Sequence, residues 1–126
     1  MNENNIFDDQ NISISFFKKE VKNFVDERNW NKYHTPKNLV QAINCEAGEL
    51  SQLLLFKDYT KKEIWNNETL LSNITDEIAD VFIYLISLIN VLGLDLSQSF
   101  INKMEKNKKK YSNKEFNNGN YYKKKS

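Results

Sequence analysis

Two pairs of acidic residues have a spacing that could bind a metal ion. Glu46 and Glu49 are three residues apart, as are Glu77 and Asp80. Residues three apart on an α-helix are neighbours on its surface, so each pair would present two carboxylates side by side. If two helices bring the pairs together, four carboxylates converge. Oxygen-only ligands on rigid elements suit Mg²⁺, a hard ion that often shares its coordination shell with substrate phosphates.

The same spacing also occurs on ordinary solvated helix faces, because acidic side chains are mostly exposed. Here, however, both pairs fall at the margin of an apolar stripe: Glu46 lies among Leu39, Ile43 and Leu50 when the segment is read as a helix. Burying like charges is costly without a cation. We therefore favour a metal site over a solvated face for the two pairs taken together.

A third group of residues could bind phosphate. Lys103, Asn107 and Lys110 share one polar face of a predicted helix and could reach phosphate oxygens. Lysines at the end of a helix also interact favourably with its dipole, so this pattern alone is weak. Upstream, the aromatic residues Trp30, Tyr33 and His34 could clasp a nucleobase, although ordinary loop packing would explain them equally well.

The elements that must position these residues are all predicted to be helices. Apolar residues recur at helical spacing and are punctuated by capping signals such as Thr35-Pro36, the Thr60 to Glu63 capping box and Gly93. The predicted helices cover about 12–29, Pro36 to about Phe56, a short connecting segment after Thr60, about Glu68 to Leu92, and a last helix opened by an Asp95 to Gln98 capping box. This predicts an all-α, four-helix bundle-like subunit over 1–112, followed by a disordered basic polar tail over 113–126.

Composition agrees with this interpretation. The chain has 126 residues, 40% of them hydrophobic, with only three Gly and one Pro, which favours one helical domain over a turn-rich β fold. A lone Cys45 forms no internal disulfide, and the first residues lack the pattern of a secretory signal. The longest apolar run, Val81 to Leu94, is shorter than the ~20 residues that cross a bilayer. We expect a cytoplasmic protein that does not contact a membrane.

Four motifs in fixed order resemble a known family. They are Glu46-Ala47-Gly48-Glu49-Leu50, Asp76-Glu77-Ile78-Ala79-Asp80-Val81, Lys103-Met104, and Asn107-Lys108-Lys109-Lys110-Tyr111. As an ensemble they resemble the all-α nucleoside triphosphate pyrophosphatases, and among these the MazG-like and dCTP pyrophosphatase branch, over about residues 14–112. The segments 26–30 and 33–39 are similar to the part of dCTP pyrophosphatases that contacts substrate.

The resemblance implies cleavage between the α and β phosphates of a nucleoside triphosphate, dependent on Mg²⁺ with Mn²⁺ as a substitute, and clearance of unwanted nucleotides. It assigns the metal to Glu46, Glu49, Glu77 and Asp80, with Glu46 or Glu49 as general base. It places substrate contacts at Trp30, Asn31, Lys32, Tyr33, His34, Asn38, Phe56, Tyr84, Lys103, Asn107 and Lys110. It also implies a homo-oligomer, either a dimer or a tetramer built from two dimers, with sites between subunits.

Two positions depart from the dCTP pyrophosphatase pattern, which has Trp in place of Phe56 and His in place of Val21. These departures bear on which nucleobase the protein prefers. We expect the substrate to be a dCTP-like pyrimidine nucleotide. An alternative function is a non-catalytic helical oligomer that binds a nucleotide or a protein. The charge distribution raises a third hypothesis, because residues 103–126 carry nine basic against two acidic residues. A nucleic-acid contact there is disfavoured by the acidic body, which has 15 acidic against nine basic residues over 1–102.

Overall fold

The computed structural model describes residues 7–121, and this part of the chain is helical without a strand. The α-helices are α1 (Ile14–Glu27), α2 (Pro36–Leu53), α3 (Lys61–Trp65), α4 (Glu68–Leu92), α5 (Leu96–Lys110) and α6 (Asn113–Phe116), with a 3₁₀ turn at Asn31–Tyr33. The predicted all-α class and the four long helices are confirmed. The chain divides into two compact units, residues 1–93 and 94–126.

Each of the first four helices begins at a side chain that caps its free backbone N–H groups. The hydroxyl of Ser13 accepts from Phe16 N at 3.2 Å, and that of Thr35 accepts from Asn38 N at 3.2 Å. Thr60 and Glu63 form the predicted capping box in full. Asn67, which the sequence analysis did not identify as a cap, accepts from Leu70 N at 3.0 Å. Caps of this kind typically contribute ~1 kcal/mol each.

Two helix ends show where the chain must turn. α4 stops at Gly93, whose φ of 66° is the left-handed conformation that glycine adopts without a Cβ clash. α2 ends at Leu53, three residues before the predicted end near Phe56. The reason is that Phe56 itself adopts a φ of 62°, which no α-helix can accommodate.

In the first unit, α1, α2 and α3 all pack against the long helix α4. The buried apolar residues of the described part of the chain come from three of these helices: Val25 of α1, Leu39 of α2, and Leu70, Ile86 and Ile89 of α4. α4 contributes most of them, as expected for the helix with the most extensive apolar surface. The core is small, because many large apolar side chains of this unit remain exposed, among them Val40, Leu55, Trp65 and Ile78.

The second unit contains α5 and α6. Asp95 caps α5 by accepting from Gln98 N at 2.8 Å, but the reciprocal bond of the predicted box, from Asp95 N to the side-chain oxygen of Gln98, is not formed. The Gln98 NH2 group donates to Asn102 at 3.0 Å. α6 lies within the segment predicted to be a polar tail, and its Phe116 packs edge-on against Tyr111 with ring centroids 5.5 Å apart. Residues 122–126 of that tail lie outside the described part of the chain.

No single helix among residues 7–121 has the length and apolar character to cross a membrane.

Candidate functional site

Packing of α2 against α4 brings carboxylates from the two helices together. Glu46 of α2 and Glu77 and Asp80 of α4 each direct one carboxylate oxygen to a common point, and these oxygens all lie within 4.8 Å of one another. Glu77 and Asp80 are adjacent because they are one helical turn apart. Glu46 joins them only through the contact between the helices. We call Glu46, Glu77 and Asp80 the acidic cluster.

The acidic cluster contains two carboxylate oxygens that lack a partner. Oε2 of Glu46 and Oε2 of Glu77 are both buried, and neither accepts a hydrogen bond. A buried acceptor without a donor costs about 1–3 kcal/mol, and more when it is charged. Something other than the described side chains must therefore satisfy these two oxygens when both groups are ionised.

Crowding of the acidic groups changes their pKa values. The pKa of Glu46 is raised to about 7, first because its protonated carboxyl can donate to the neighbouring carboxylate of Glu77, then because of burial and the neighbouring charges of Glu49 and Asp80. For Glu77 the hydrogen bond with Glu46 favours the charged form, but burial and the charge of Glu49 outweigh it, so its pKa is also raised. Without a cation, the cluster therefore retains a proton at a pH where isolated carboxyls would have lost theirs.

A bound cation would remove both the unsatisfied oxygens and the electrostatic repulsion in the acidic cluster. It would coordinate the two unpartnered oxygens and offset the repulsion among the carboxylates, and an all-oxygen donor set suits a hard divalent ion. The residues present thus fit a metal site. Glu49 stands apart from the other three: it is exposed and lies outside the set of converging oxygens, yet it is close enough to Glu46 to raise the pKa of that carboxyl.

A cavity of about 680 Å³ adjoins the acidic cluster. Glu46 and Asp80 form part of its wall, and most of the remaining wall is aromatic or apolar. Three of the residues predicted to contact substrate line it, namely Trp30, His34 and Tyr84. An apolar cavity with a few polar groups at one end is the usual form of a small-molecule site.

Helix α1 supplies a part of the wall of which the sequence analysis singled out only Val21. Phe17, Val21 and Phe24 line the cavity, together with the carboxylate of Glu20. The spacing of the three apolar residues fits one stripe of a helix, so the sequence carried a signal for this face. The stripe itself does not distinguish a face that is packed shut from one that borders a cavity.

Two aromatic contacts fix the shape of this wall. Phe24 and Trp30 meet edge to face with centroids 5.7 Å apart, and the guanidinium of Arg28 lies 3.8 Å from the centre of the Phe24 ring. Phe17 meets Phe82 of α4 at 5.1 Å in the same manner. Each edge-to-face pair contributes ~0.5–1.5 kcal/mol beyond the area that it buries.

The other predicted residues of the 30–38 segment support the loop rather than the cavity wall. The amide of Asn38 donates to the carbonyl of Tyr33 at 3.0 Å, and that of Asn31 donates to Asp26 at 2.8 Å. Lys32 lies over the Tyr33 ring at 5.1 Å. These contacts hold the 3₁₀ turn between Trp30 and His34.

The structure places the remaining predicted residues elsewhere. Phe56 lies outside the wall of this cavity and is fully exposed, bordering a separate depression with Leu54, Tyr59 and Ile64. Lys103, Asn107 and Lys110 lie on α5, in the second unit. There Lys103 and Lys110 are exposed, and the ammonium of Lys110 lies 5.2 Å from the centre of the Tyr111 ring.

This chain is similar in sequence to known proteins. Residues 42–124 match the MazG-like family. The mouse and human proteins named dCTP pyrophosphatase 1 are 36% and 32% identical to this chain over 90 residues, which is 70% of the chain and 52% of each relative. The chain thus spans about half the length of these relatives.

A solved structure is similar as well. A pyrophosphatase from Archaeoglobus fulgidus superposes with a TM-score of 0.67 at 37% sequence identity, covering 75% of this chain and 87% of that one. The family match includes all four acidic residues and begins after the 30–38 segment. With the fold, the acidic cluster and these similarities in agreement, the chain belongs to the MazG-like family.

Proposed function

We propose that this protein is a Mg²⁺-dependent nucleoside triphosphate pyrophosphohydrolase that releases a nucleoside monophosphate and pyrophosphate. The observation that carries the proposal is the position of the acidic cluster at the edge of an aromatic cavity. The cluster suits the charged end of a nucleotide with its metal, and the cavity suits the base. The relatives named as pyrophosphatases support the same reaction.

Glu46, Glu77 and Asp80 would hold the ion, with Glu49 beside them. When bound, Mg²⁺ supplies positive charge that neutralises the phosphates and favours ionisation of a water molecule. The two buried oxygens that lack donors support this assignment, because they would gain their partner from the ion. Mn²⁺ has similar ligand preferences and is expected to substitute.

The hydrolytic step requires a carboxylate that takes a proton from water. The water oxygen attacks the α phosphorus, the bond from that phosphorus to the oxygen bridging to the β phosphorus breaks, and pyrophosphate leaves with the electron pair. Glu46 and Glu49 are the candidates for this base. Glu49 is exposed and outside the converging set, so it can accept a proton without giving up a place among the cluster oxygens.

The nucleobase of the substrate would occupy the aromatic cavity. Trp30 and Tyr84 line this cavity, and stacking on an aromatic side chain is worth ~1–3 kcal/mol per base. The dCTP pyrophosphatase relatives favour a dCTP-like pyrimidine. Asn31, Lys32, Tyr33 and Asn38 would act by shaping the loop, and Lys103, Asn107 and Lys110 are proposed to bind phosphates. Removal of surplus or modified nucleotides is the role that this reaction suits.

A homo-oligomer is part of the proposal. Large apolar side chains of the first unit are exposed, and Phe56 is exposed in full on a left-handed backbone. Exposed apolar residues in such number are typical of surfaces that are covered by another chain. A second copy could bring Phe56 to the nucleotide cavity, in a dimer or in a tetramer built from two dimers. Neither a nucleic-acid nor a membrane partner is part of the proposal, and the cytoplasmic location stays a prediction.

The test is release of pyrophosphate from dCTP, dUTP, dTTP and 5-modified dCTP, with and without Mg²⁺. Wild type is compared with Glu77→Gln and with the control Glu68→Gln, which removes an exposed carboxylate at the start of the same helix. We expect Mg²⁺-dependent release from wild type and the control, and a loss of at least about 100-fold in Glu77→Gln.

Absence of release from any standard or modified nucleotide would overturn the proposal. Calorimetry would then decide whether the alternative function applies: nucleotide binding without turnover, unchanged by Glu46→Gln, is the result expected of a non-catalytic binding protein. Equal activity in Glu77→Gln and wild type would instead remove the acidic cluster from the mechanism.

A further inference from the structure

Ser87 is a buried polar residue that the proposed mechanism does not yet use. Its side chain is 4% exposed. Among residues 7–121, Ser87 is the only buried residue with a polar side chain. It lies on α4 three residues after Tyr84, and its Oγ lies 2.8 Å from Nδ1 of His34. This contact joins two residues that are 53 positions apart in the chain.

The contact bears on which nitrogen of His34 carries the hydrogen. A buried hydroxyl must donate its hydrogen somewhere, because an unmade hydrogen bond in the interior costs free energy. His34 Nδ1 is the partner that the structure gives to the Ser87 hydroxyl within the described residues. Donation to Nδ1 requires a lone pair there, so a neutral His34 must carry its hydrogen on Nε2.

The two nitrogens of His34 face different surroundings. Nδ1 faces Ser87, which lines a small cavity of about 100 Å³ and not the large one. His34 lines both cavities, and because its Nδ1 is engaged by Ser87, Nε2 is the ring nitrogen left for a ligand in the large aromatic cavity. Amides near the small cavity are already engaged: Asn31 donates to Asp26, and Asn90 donates to the carbonyl of Lys18 at 2.9 Å. Because these two amides donate elsewhere, the Ser87 hydroxyl is the hydrogen-bonding partner of Nδ1.

We propose that Ser87 is a positioning residue that fixes His34 as the Nε2–H form, so that this N–H donates to a carbonyl oxygen of the nucleobase. The part that concerns the base rests on the proposed function; the part that concerns the hydrogen position does not. The cavity wall is mostly aromatic and apolar, and a single oriented donor in such surroundings orients a ligand strongly. Every pyrimidine base carries a carbonyl oxygen that could accept from it.

The chain is well suited to a direct test, because His34 is its only histidine. The ¹⁵N spectrum of the imidazole in protein labelled at histidine therefore reports this residue alone. It is recorded at about pH 8.5, where an unperturbed imidazole is neutral. The variants are Ser87→Ala, which removes the donor, Ser87→Cys, which keeps a weak donor of similar size, and Ser72→Ala, an exposed serine of the same helix as control.

In wild type and Ser72→Ala we expect two well-separated nitrogen signals, with the hydrogen on Nε2. In Ser87→Ala the signals should move toward a mixture of both forms, and Ser87→Cys should fall between. A hydrogen on Nδ1 in wild type, or signals unchanged by Ser87→Ala, would overturn the proposal. Unaltered helical circular dichroism identifies variants that remain folded, and Ser87→Cys serves if Ser87→Ala does not.

Steady-state kinetics test whether His34 donates to the nucleobase. Ser87→Ala should raise KM for the best pyrimidine substrate by about three- to tenfold, the worth of one neutral hydrogen bond, while kcat changes less than about twofold. Ser72→Ala should leave both constants unchanged. If the hydrogen moves as expected but KM does not change, the base-binding role is wrong. If wild type hydrolyses no nucleotide, the proposed function fails, and the spectrum still decides the hydrogen position.

Discussion

Glu46 on α2 and Glu77 on α4 each bury one carboxylate oxygen that accepts no hydrogen bond, and the two groups lie within ligand distance of a common point. Their mutual contact raises the pKa of Glu46 to about 7. Two acids on different helices thus compete for one proton in the absence of a cation. This relationship links the stability of the first unit to pH and to metal ions.

The metal-free protein should lose stability as the pH rises toward neutrality. The pKa of Glu46 is raised from 4.5 to about 7, so the folded protein binds this proton more tightly than the unfolded chain does. The resulting stabilisation is fully present below pH 4.5 and is lost as the pH rises through about 7. Asp26 and Glu63 have lowered pKa values, and their stabilisation is lost only at lower pH, as each is protonated.

Thermal unfolding in EDTA between pH 5 and 8 measures this effect. The midpoint Tm should fall across the range in wild type, and Glu46→Gln should flatten the slope because its amide does not titrate. A Tm that rises steadily from pH 5 to 8 in the metal-free wild type would contradict the prediction.

Mg²⁺ should reverse this loss. An ion that binds only the folded state at 100 times its Kd stabilises it by about 2.7 kcal/mol. We expect this gain in wild type and in Glu68→Gln, and a much smaller gain in Asp80→Asn, which removes a charge from the cluster. Urea unfolding with and without Mg²⁺ checks it. Equal stabilisation of wild type and Asp80→Asn would show that the ion binds elsewhere.

Trp30→Ala should weaken binding of the base with little effect on chemistry. Loss of a stacking surface worth ~1–3 kcal/mol predicts an increase in KM of about 5- to 150-fold, with kcat nearly unchanged. Trp65→Ala is the control, because Trp65 is exposed and lies outside the cavity wall. Gel filtration should verify that both variants keep the assembly of wild type. A kcat that falls as much as kcat/KM would assign Trp30 to the reaction step instead.

If sites form between subunits, two inactive variants should complement each other. Phe56→Ala should lower activity although Phe56 is fully exposed within one chain. Mixing and reassociating Phe56→Ala with Glu77→Gln would place both changes in one site of a hybrid dimer and leave the other site intact. About a quarter of all sites should then recover wild-type activity. No recovery despite subunit exchange, monitored by mass spectrometry, would place each site within one chain.

Two glycines should respond to alanine in opposite directions. Gly48 lies within α2, and a Cβ added there meets nothing within 4 Å, so Gly48→Ala should stabilise the protein by about 0.5–1 kcal/mol. Gly93 has a positive φ, so Gly93→Ala should destabilise it by about 1–2 kcal/mol. Urea denaturation measures both. Destabilisation by Gly48→Ala would indicate that another chain approaches α2 at this position.

Much of the helical framework is determined locally. Ser13, Thr35 and Thr60 cap the helices that follow them, and Gly93 ends α4, because the hydrogen bonds and dihedral angles involved span only a few residues. The pairing of Glu77 with Asp80 is local for the same reason, since one helical turn separates them. All of these features except the Ser13 cap were predicted from the sequence by itself.

Tertiary packing decided which residues come together at the candidate site. The sequence does not show that Glu46 joins Glu77 and Asp80 while Glu49 remains outside, because that depends on how α2 and α4 are rotated about their axes when they pack. It does not show that Phe17, Val21 and Val25 border a cavity instead of a closed helix contact, since a helical stripe has the same spacing in both cases. The bond from Ser87 to His34 crosses 53 residues and exists only because the loop after α1 packs against α4. Local chemistry thus specified the helices and their acidic pairs, and the contacts between helices specified the site.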